Sequence, residues 1–133
     1  MNLEHLEKLY QHNKYKKLLT VATKVKTNSK TDKNRMSFLK AECHRELKGY
    51  DKAIFEYKNA VATCEIDTDL IRIYGLIAHC YIESKNPLMA IDFYKKIINT
   101  DSGLRTLQFR KFLSGMLFNH REFDEAEKYA KKL

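Results

Sequence analysis

Between residues 70 and 100 the apolar side chains fall at a helical period twice, with a polar turn between. Tyr74, Ile77, Ala78 and Tyr81 stand at i, i+3, i+4 and i+7, one stripe of a helix. Ala90, Ile91, Tyr94, Ile97 and Ile98 form a second stripe. Asn86-Pro87 reads as a cap followed by proline at the first helical position. The pattern predicts two antiparallel helices. Small residues at 78 and 90 let their backbones approach, and tyrosines fill the space around them.

The same pattern recurs along the chain. "GYDKAIFEYKNAV" (49–61), "NPLMAIDFYKKII" (86–98) and "EFDEAEKYAKKL" (122–133) align on Ala53, Ala90 and Ala126, at spacings of 37 and 36 residues. Tyr57, Tyr94 and Ala130 follow four positions later; Tyr50, Pro87 and Phe123 precede by three. Another helical stretch comes before each copy, with Ala41, Ala78 and Ser114 twelve residues ahead of the aligned alanine. A fixed period of this length is the mark of stacked helical hairpins, none of which can bury both of its stripes alone. The N-terminal segment fits as a degenerate first copy. Leu3, Leu6 and Leu9 make one stripe, "HNKY" the turn, and Leu18 takes the alanine position, 35 residues before Ala53. "TNSKTDKN" (27–34) and "CEIDTD" (64–69) are expected as loops, and Gly49 is expected to relieve the turn of the second hairpin. The expected fold class is all-α, a single domain 1–133 with hairpins at about 1–26, 35–64, 70–100 and 104–133.

Composition narrows the class further. The apolar fraction is 44% and the charged fraction 32%, with four Gly and one Pro, which suits a helical globular chain and not an all-β one. No apolar run approaches the roughly 20 residues that cross a bilayer. The opening "MNLEHLEKLY" has acids and a helical period where a signal peptide has a basic end and an apolar block. A cytoplasmic or nuclear location is therefore expected.

Cys43, Cys64 and Cys80 are odd in number and lack CxxC spacing, so buried thiols are expected instead of disulfides. Cys43-His44 and His79-Cys80 have the residue types of a zinc site, but adjacent helical residues point about 100° apart. Neither a metal nor a cofactor is expected.

The net charge of +8 is uneven: residues 1–35 hold nine Lys/Arg against three acids, and the other 98 hold sixteen against fourteen. Nucleic acid, anionic lipid or an acidic protein could meet such an end. The plainer expectation is a solvated lysine face at Lys14, Lys16, Lys17, Lys24 and Lys26, with no bound polyanion.

The hairpin pattern resembles the tetratricopeptide repeat family. The third copy matches its large, Leu, small, Tyr, Ala and aromatic positions at Tyr74, Ile77, Ala78, Tyr81, Ala90 and Tyr94. The second matches at Ala41, Tyr50, Ala53, Tyr57 and Ala60 but departs at Ser37, Lys40 and His44; the fourth keeps Leu113, Ser114, Leu117, Phe123 and Ala126. The family's proline after the second helix is absent. The resemblance implies a right-handed superhelix of about four stacked antiparallel hairpins and a protein–protein interaction scaffold in place of an enzyme. No GxSxG, HExxH or Gly-rich phosphate loop argues otherwise.

By the same resemblance, the partner groove falls on Arg35, Phe38, Glu42 and Arg45, then Arg72, Gly75, His79 and Ile82, then Lys111, Gly115 and Phe118. Mixed charge with aromatics suits a peptide or helix carrying acidic and apolar residues. The stretch "AECHRELKGYDKAI" also resembles repeats of tetratricopeptide subunits of the anaphase-promoting complex, which implies a scaffold role in cell-cycle ubiquitin ligation and pairing through N-terminal repeats. A homodimer through Leu3, Leu6 and Leu9 is accordingly expected, although the same leucines suit the first hairpin's own core. Met116, Leu117 and Tyr129 are expected to lack a covering helix. The second class of function is a nucleic-acid-binding helical repeat using the basic N-terminal third.

Overall fold

The computed structural model describes residues 2–100 and 107–119. Over these residues the chain forms seven α-helices and no strand. They are α1 (Leu3–Gln11), α2 (Tyr15–Ala22), α3 (Lys30–Glu46), α4 (Tyr50–Ala62), α5 (Asp67–Glu83), α6 (Pro87–Thr100) and α7 (Leu107–Asn119). The fourth copy's second helix, with Phe123, Ala126, Tyr129 and Ala130, lies outside the described residues.

The chain divides into two compact units, residues 1–66 and 67–133. In the first, α1 and α2 pair as a hairpin, both touch α3, and α3 pairs with α4. In the second, α5 pairs with α6, and α6 with α7.

The hairpins share one turn. Asn13, Lys48 and Lys85 adopt φ of 60°, 64° and 68°, the left-handed region. The next residue's N–H reaches back five positions, from Lys14 to the Leu9 carbonyl (2.8 Å), Gly49 to His44 (2.7 Å) and Asn86 to Tyr81 (2.8 Å). The left-handed residue itself donates to Tyr10 (3.0 Å), Arg45 (3.0 Å) or Ile82 (3.1 Å). These paired bonds form a Schellman motif, which satisfies carbonyls that the helix end leaves open. The next helix starts two residues on, at Tyr15, Tyr50 or Pro87.

Gly49 was the expected turn residue, but its φ is −86° and the left-handed position is Lys48. A Cβ at Gly49 would meet the His44 carbonyl oxygen at 3.5 Å, an ordinary contact. The repeat is thus punctuated by geometry that no glycine marks.

Both expected loops are shorter than their polar composition suggests. Ser29 caps α3 by accepting from the Asp32 N–H at 3.0 Å, so the helix starts at Lys30. Asn34, inside that helix, donates to the Ala60 carbonyl (2.6 Å) and to the Thr63 hydroxyl (3.1 Å), tying α3 to the end of α4. Asp67 and Asp69 lie in the first turn of α5, where the helix dipole favours negative charge.

The aligned positions form the core. Ala41, Ala53, Ala78 and Ala90 are fully buried, as are Leu6 and Leu18, which replace the two alanines in the first hairpin. Leu6, Leu9, Leu18, Ala22, Met36 and Cys43 form one cluster, with Leu3 packed against it. In the second unit Phe93 sits between Tyr74 and Tyr81, each ring centroid 5.8 Å from its own. Full burial of each large apolar side chain contributes about 1.5–3 kcal/mol.

Candidate partner-binding faces

Four candidate groove residues lie on α3, and the structure gives them unequal roles. Arg35 is exposed and paired with Glu7 of α1. Phe38 is half-buried, its ring edge-on to Tyr57 at 5.9 Å. Glu42, expected in the groove, is buried. It is held there by three donors: the Tyr57 hydroxyl, the Tyr10 hydroxyl at 3.1 Å and Arg45 Nη2 at 2.8 Å. Arg45 Nε also donates to the Tyr57 oxygen at 3.1 Å, and its guanidinium lies 3.7 Å from Glu46. Glu42 and Arg45 therefore serve an internal polar cluster joining α1, α3 and α4, and this corrects their assignment as groove-lining groups. A buried carboxylate is tolerated only with such partners.

The cluster shifts its members' ionisation. Burial, reinforced by the neighbouring Glu42 carboxylate, pushes the Tyr10 hydroxyl up to about 12. The Tyr57 hydroxyl is raised for the same reasons, burial first. Burial alone would lower Arg45, but its bonds to Glu42 and Tyr57 hold it above the usual guanidinium range. Burial beside Glu42 pushes the Cys43 thiol up to about 12.

The self-association residues also face inward. Leu6 and Leu9 are buried within the first unit's cluster and Leu3 is half-buried against it. Their period is that of a core stripe, which a sequence cannot tell from an interface stripe. Leu117, expected to be uncovered, is buried as well.

The second unit is different. On α5, Arg72, His79 and Ile82 are exposed, and His79 Nε2 lies 3.9 Å from Glu83. On α7, Lys111, Gly115 and Phe118 fall at i, i+4 and i+7 and are all exposed, Phe118 by 62%. The two helices approach at Gly75, where a Cβ would lie 3.6 Å from the Phe109 ring. Gly75 is thus a packing position and not a groove surface. A Cβ at Gly115 would meet nothing within 4 Å. The unit therefore exposes Arg72 and Ile82 on α5 and Lys111 and Phe118 on α7.

Sequence reasoning missed Tyr10 and Phe93. Tyr10 joins the cluster only through α1's docking on α3, which nothing in its local spacing indicates. Phe93 lies three residues after Ala90, a helical interval that could have revealed it.

Among the described residues no group of three His, Cys, Asp or Glu side chains could hold a metal ion. Cys43 and Cys80 are buried, whereas their neighbour His44 is half-buried and His79 exposed, so neither adjacent pair presents its two members together. Nor is any helix among the described residues long and apolar enough to cross a membrane.

No curated protein matches the chain. A solved structure of a MamA RS-1 ArsTM double mutant is similar in fold, with a TM-score of 0.65 at 20% sequence identity. The match covers 93% of this chain and 66% of that one, so the chain spans just under two thirds of that protein's length. The fold is that all-helical, tetratricopeptide-like architecture, and residues 71–103 match the tetratricopeptide repeat family.

Proposed function

We propose that the chain is a non-catalytic protein-interaction module whose second unit binds a peptide or helix through α5 and α7. One observation carries this reading: Ile82 and Phe118 stay 38% and 62% exposed on the helices that bear Arg72, His79 and Lys111. Large apolar groups in water beside cations fit a partner segment that alternates apolar and acidic residues. The residues matching the tetratricopeptide repeat, 71–103, include Arg72, His79 and Ile82, which supports this reading.

The first unit supplies less to such a partner. Arg35 is paired with Glu7, and Arg45 with Glu42 and Glu46. The narrower reading, a scaffold subunit of the anaphase-promoting complex, has the stretch 41–54 and the order of the hairpins behind it and gains no support from the comparisons.

Selection from a displayed random-peptide library tests the proposal. Bound peptides should be enriched in acidic and apolar residues, and should lose binding to a Lys111→Glu/Phe118→Ser variant that retains native helicity. Peptides that bind the variant equally well, or no enrichment at all, would overturn it.

A further inference from the structure

Residues 8–31 contain seven lysines and no aspartate or glutamate. Five of them are exposed around α2: Lys14 at its N-cap, Lys16 and Lys17 within it, and Lys24 and Lys26 in the segment that follows it. Among the described residues none of the five has an ion-pair partner. Four later cations of this unit differ. Lys30 pairs with Glu65 at 2.8 Å, Lys40 with Glu56 at 3.8 Å and Arg45 with Glu42 at 2.8 Å, while Arg35 is joined to Glu7. Uncompensated positive charge in the first unit is therefore concentrated around one short helix.

What that surface lacks decides its partner. The apolar residues of α2 point away from it: Leu18 and Ala22 are buried, and Leu19, Val21 and Val25 pack on the core. Nothing remains to insert into a bilayer, which a membrane-surface helix requires. Tyr10 and Tyr15 also pack against the core, their centroids 5.7 Å apart, so no ring is offered for stacking on an unpaired base. There is no arginine before Arg35, hence no planar fork for reading base edges. An acidic peptide would gain only exposed ion pairs, which are individually weak. A duplex carries one phosphate charge per about 1.7 Å of axis, and releasing its counterions rewards simple lysine contacts.

We propose that the lysine face of α2 binds the phosphate backbone of double-stranded nucleic acid without sequence preference. This surface belongs to the first unit and the α5–α7 face to the second, and neither reading depends on the other. The eight residues of α2 extend about 12 Å, long enough to meet several phosphates together with the flanking Lys24 and Lys26.

Fluorescence anisotropy with a labelled duplex of about 20 base pairs, titrated over a salt series, tests the proposal. With all five lysines engaged, log K should fall against log salt with a slope of about −4.5. The variants Lys14→Glu/Lys16→Glu/Lys17→Glu and Lys24→Glu/Lys26→Glu should each weaken binding at least about tenfold and flatten that slope. A Lys52→Glu/Lys58→Glu control on α4, with helicity checked by circular dichroism in every variant, should bind as the parent does. The proposal is overturned if control and face variants lose affinity equally, or if no duplex binding appears at low salt. Tighter binding to a single strand of equal length, to poly-glutamate, or to vesicles containing an anionic lipid overturns it too.

Discussion

The hydroxyl of Tyr57, at the aromatic position of α4, donates to a carboxylate oxygen of Glu42, on the facing side of α3. The pair lies at the centre of the polar cluster that joins α1, α3 and α4. Its geometry explains why Glu42 can be 7% exposed: Tyr10, Tyr57 and Arg45 together replace the water that the carboxylate gives up.

Removing one member should therefore cost more than an exposed ion pair would. Tyr57→Phe deletes one donor to a charged acceptor and should destabilise the first unit by about 1.5–3 kcal/mol. Glu42→Ala leaves Arg45 and two hydroxyls without their acceptor and should cost about 3 kcal/mol. Urea unfolding followed by circular dichroism measures both. An effect below about 0.5 kcal/mol for either would show that water already satisfies the cluster.

Alkaline pH should loosen the same contacts. Tyr10 is raised to about 12 and Tyr57 is raised also, against an unfolded value near 10, so the folded state favours both hydroxyls in neutral form. Their contribution is fully present below about pH 10 and disappears as pH climbs through the folded values. Burial also raises Tyr94, so tyrosinate absorbance should show several late-titrating tyrosines, of which Tyr10→Phe/Tyr57→Phe should remove two. If all eight tyrosines titrate together near pH 10, the cluster is open in solution.

The turns offer an opposite test. Lys48 and Lys85 hold φ of 64° and 68°, where an L side chain with a Cβ is strained by about 1–2 kcal/mol. Glycine there relieves the strain but frees the unfolded chain, so Lys48→Gly and Lys85→Gly should each stabilise by about 0.5–1 kcal/mol net. Gly49→Ala, one residue away, should be tolerated because its Cβ meets only an ordinary contact. Stabilisation by Gly49→Ala with destabilisation by Lys48→Gly would place the left-handed residue wrongly.

Much of this fold was legible because helices advertise themselves by period. The stripes at Tyr74–Tyr81 and Ala90–Ile98 gave α5 and α6 and their buried faces directly. Loop lengths were not legible. Ser29 and Asp67 look like loop residues by type, yet one caps a helix and the other begins one. The candidate face was only half legible for a related reason. Register identifies which residues share a face, but it cannot say that Glu42 is drawn inward by a tyrosine 15 positions away. That depends on tertiary contacts, as does the inward orientation of Leu6 and Leu9.

Two substitutions probe the second unit's helices. Ala90 is fully buried at the close contact of α6, so Ala90→Leu should overpack the hairpin and cost about 1–3 kcal/mol. Gly115 lies exposed within α7 with open space above it, so Gly115→Ala should add up to about 1 kcal/mol through helix propensity alone. Thermal unfolding of the two variants should shift in opposite directions; shifts of the same sign would contradict the packing described for α6 or α7.

Leu6 and Leu18 stand where the next two hairpins carry alanine pairs, Ala41 with Ala53 and Ala78 with Ala90. Repeat proteins are often treated as strings of exchangeable cassettes, to be duplicated, deleted or shuffled at will. Bulk at both crossing positions takes the first hairpin out of that currency. Grafted in place of 30–62, it would bring leucines to a crossing shaped for methyl groups, and it would lack Glu42 and Tyr57 as well. The reverse graft would set two alanines where Leu6 and Leu18 now fill the space, and would open a void. Any lengthening or shortening of this chain by recombination would therefore have to keep the first hairpin whole and cut after it.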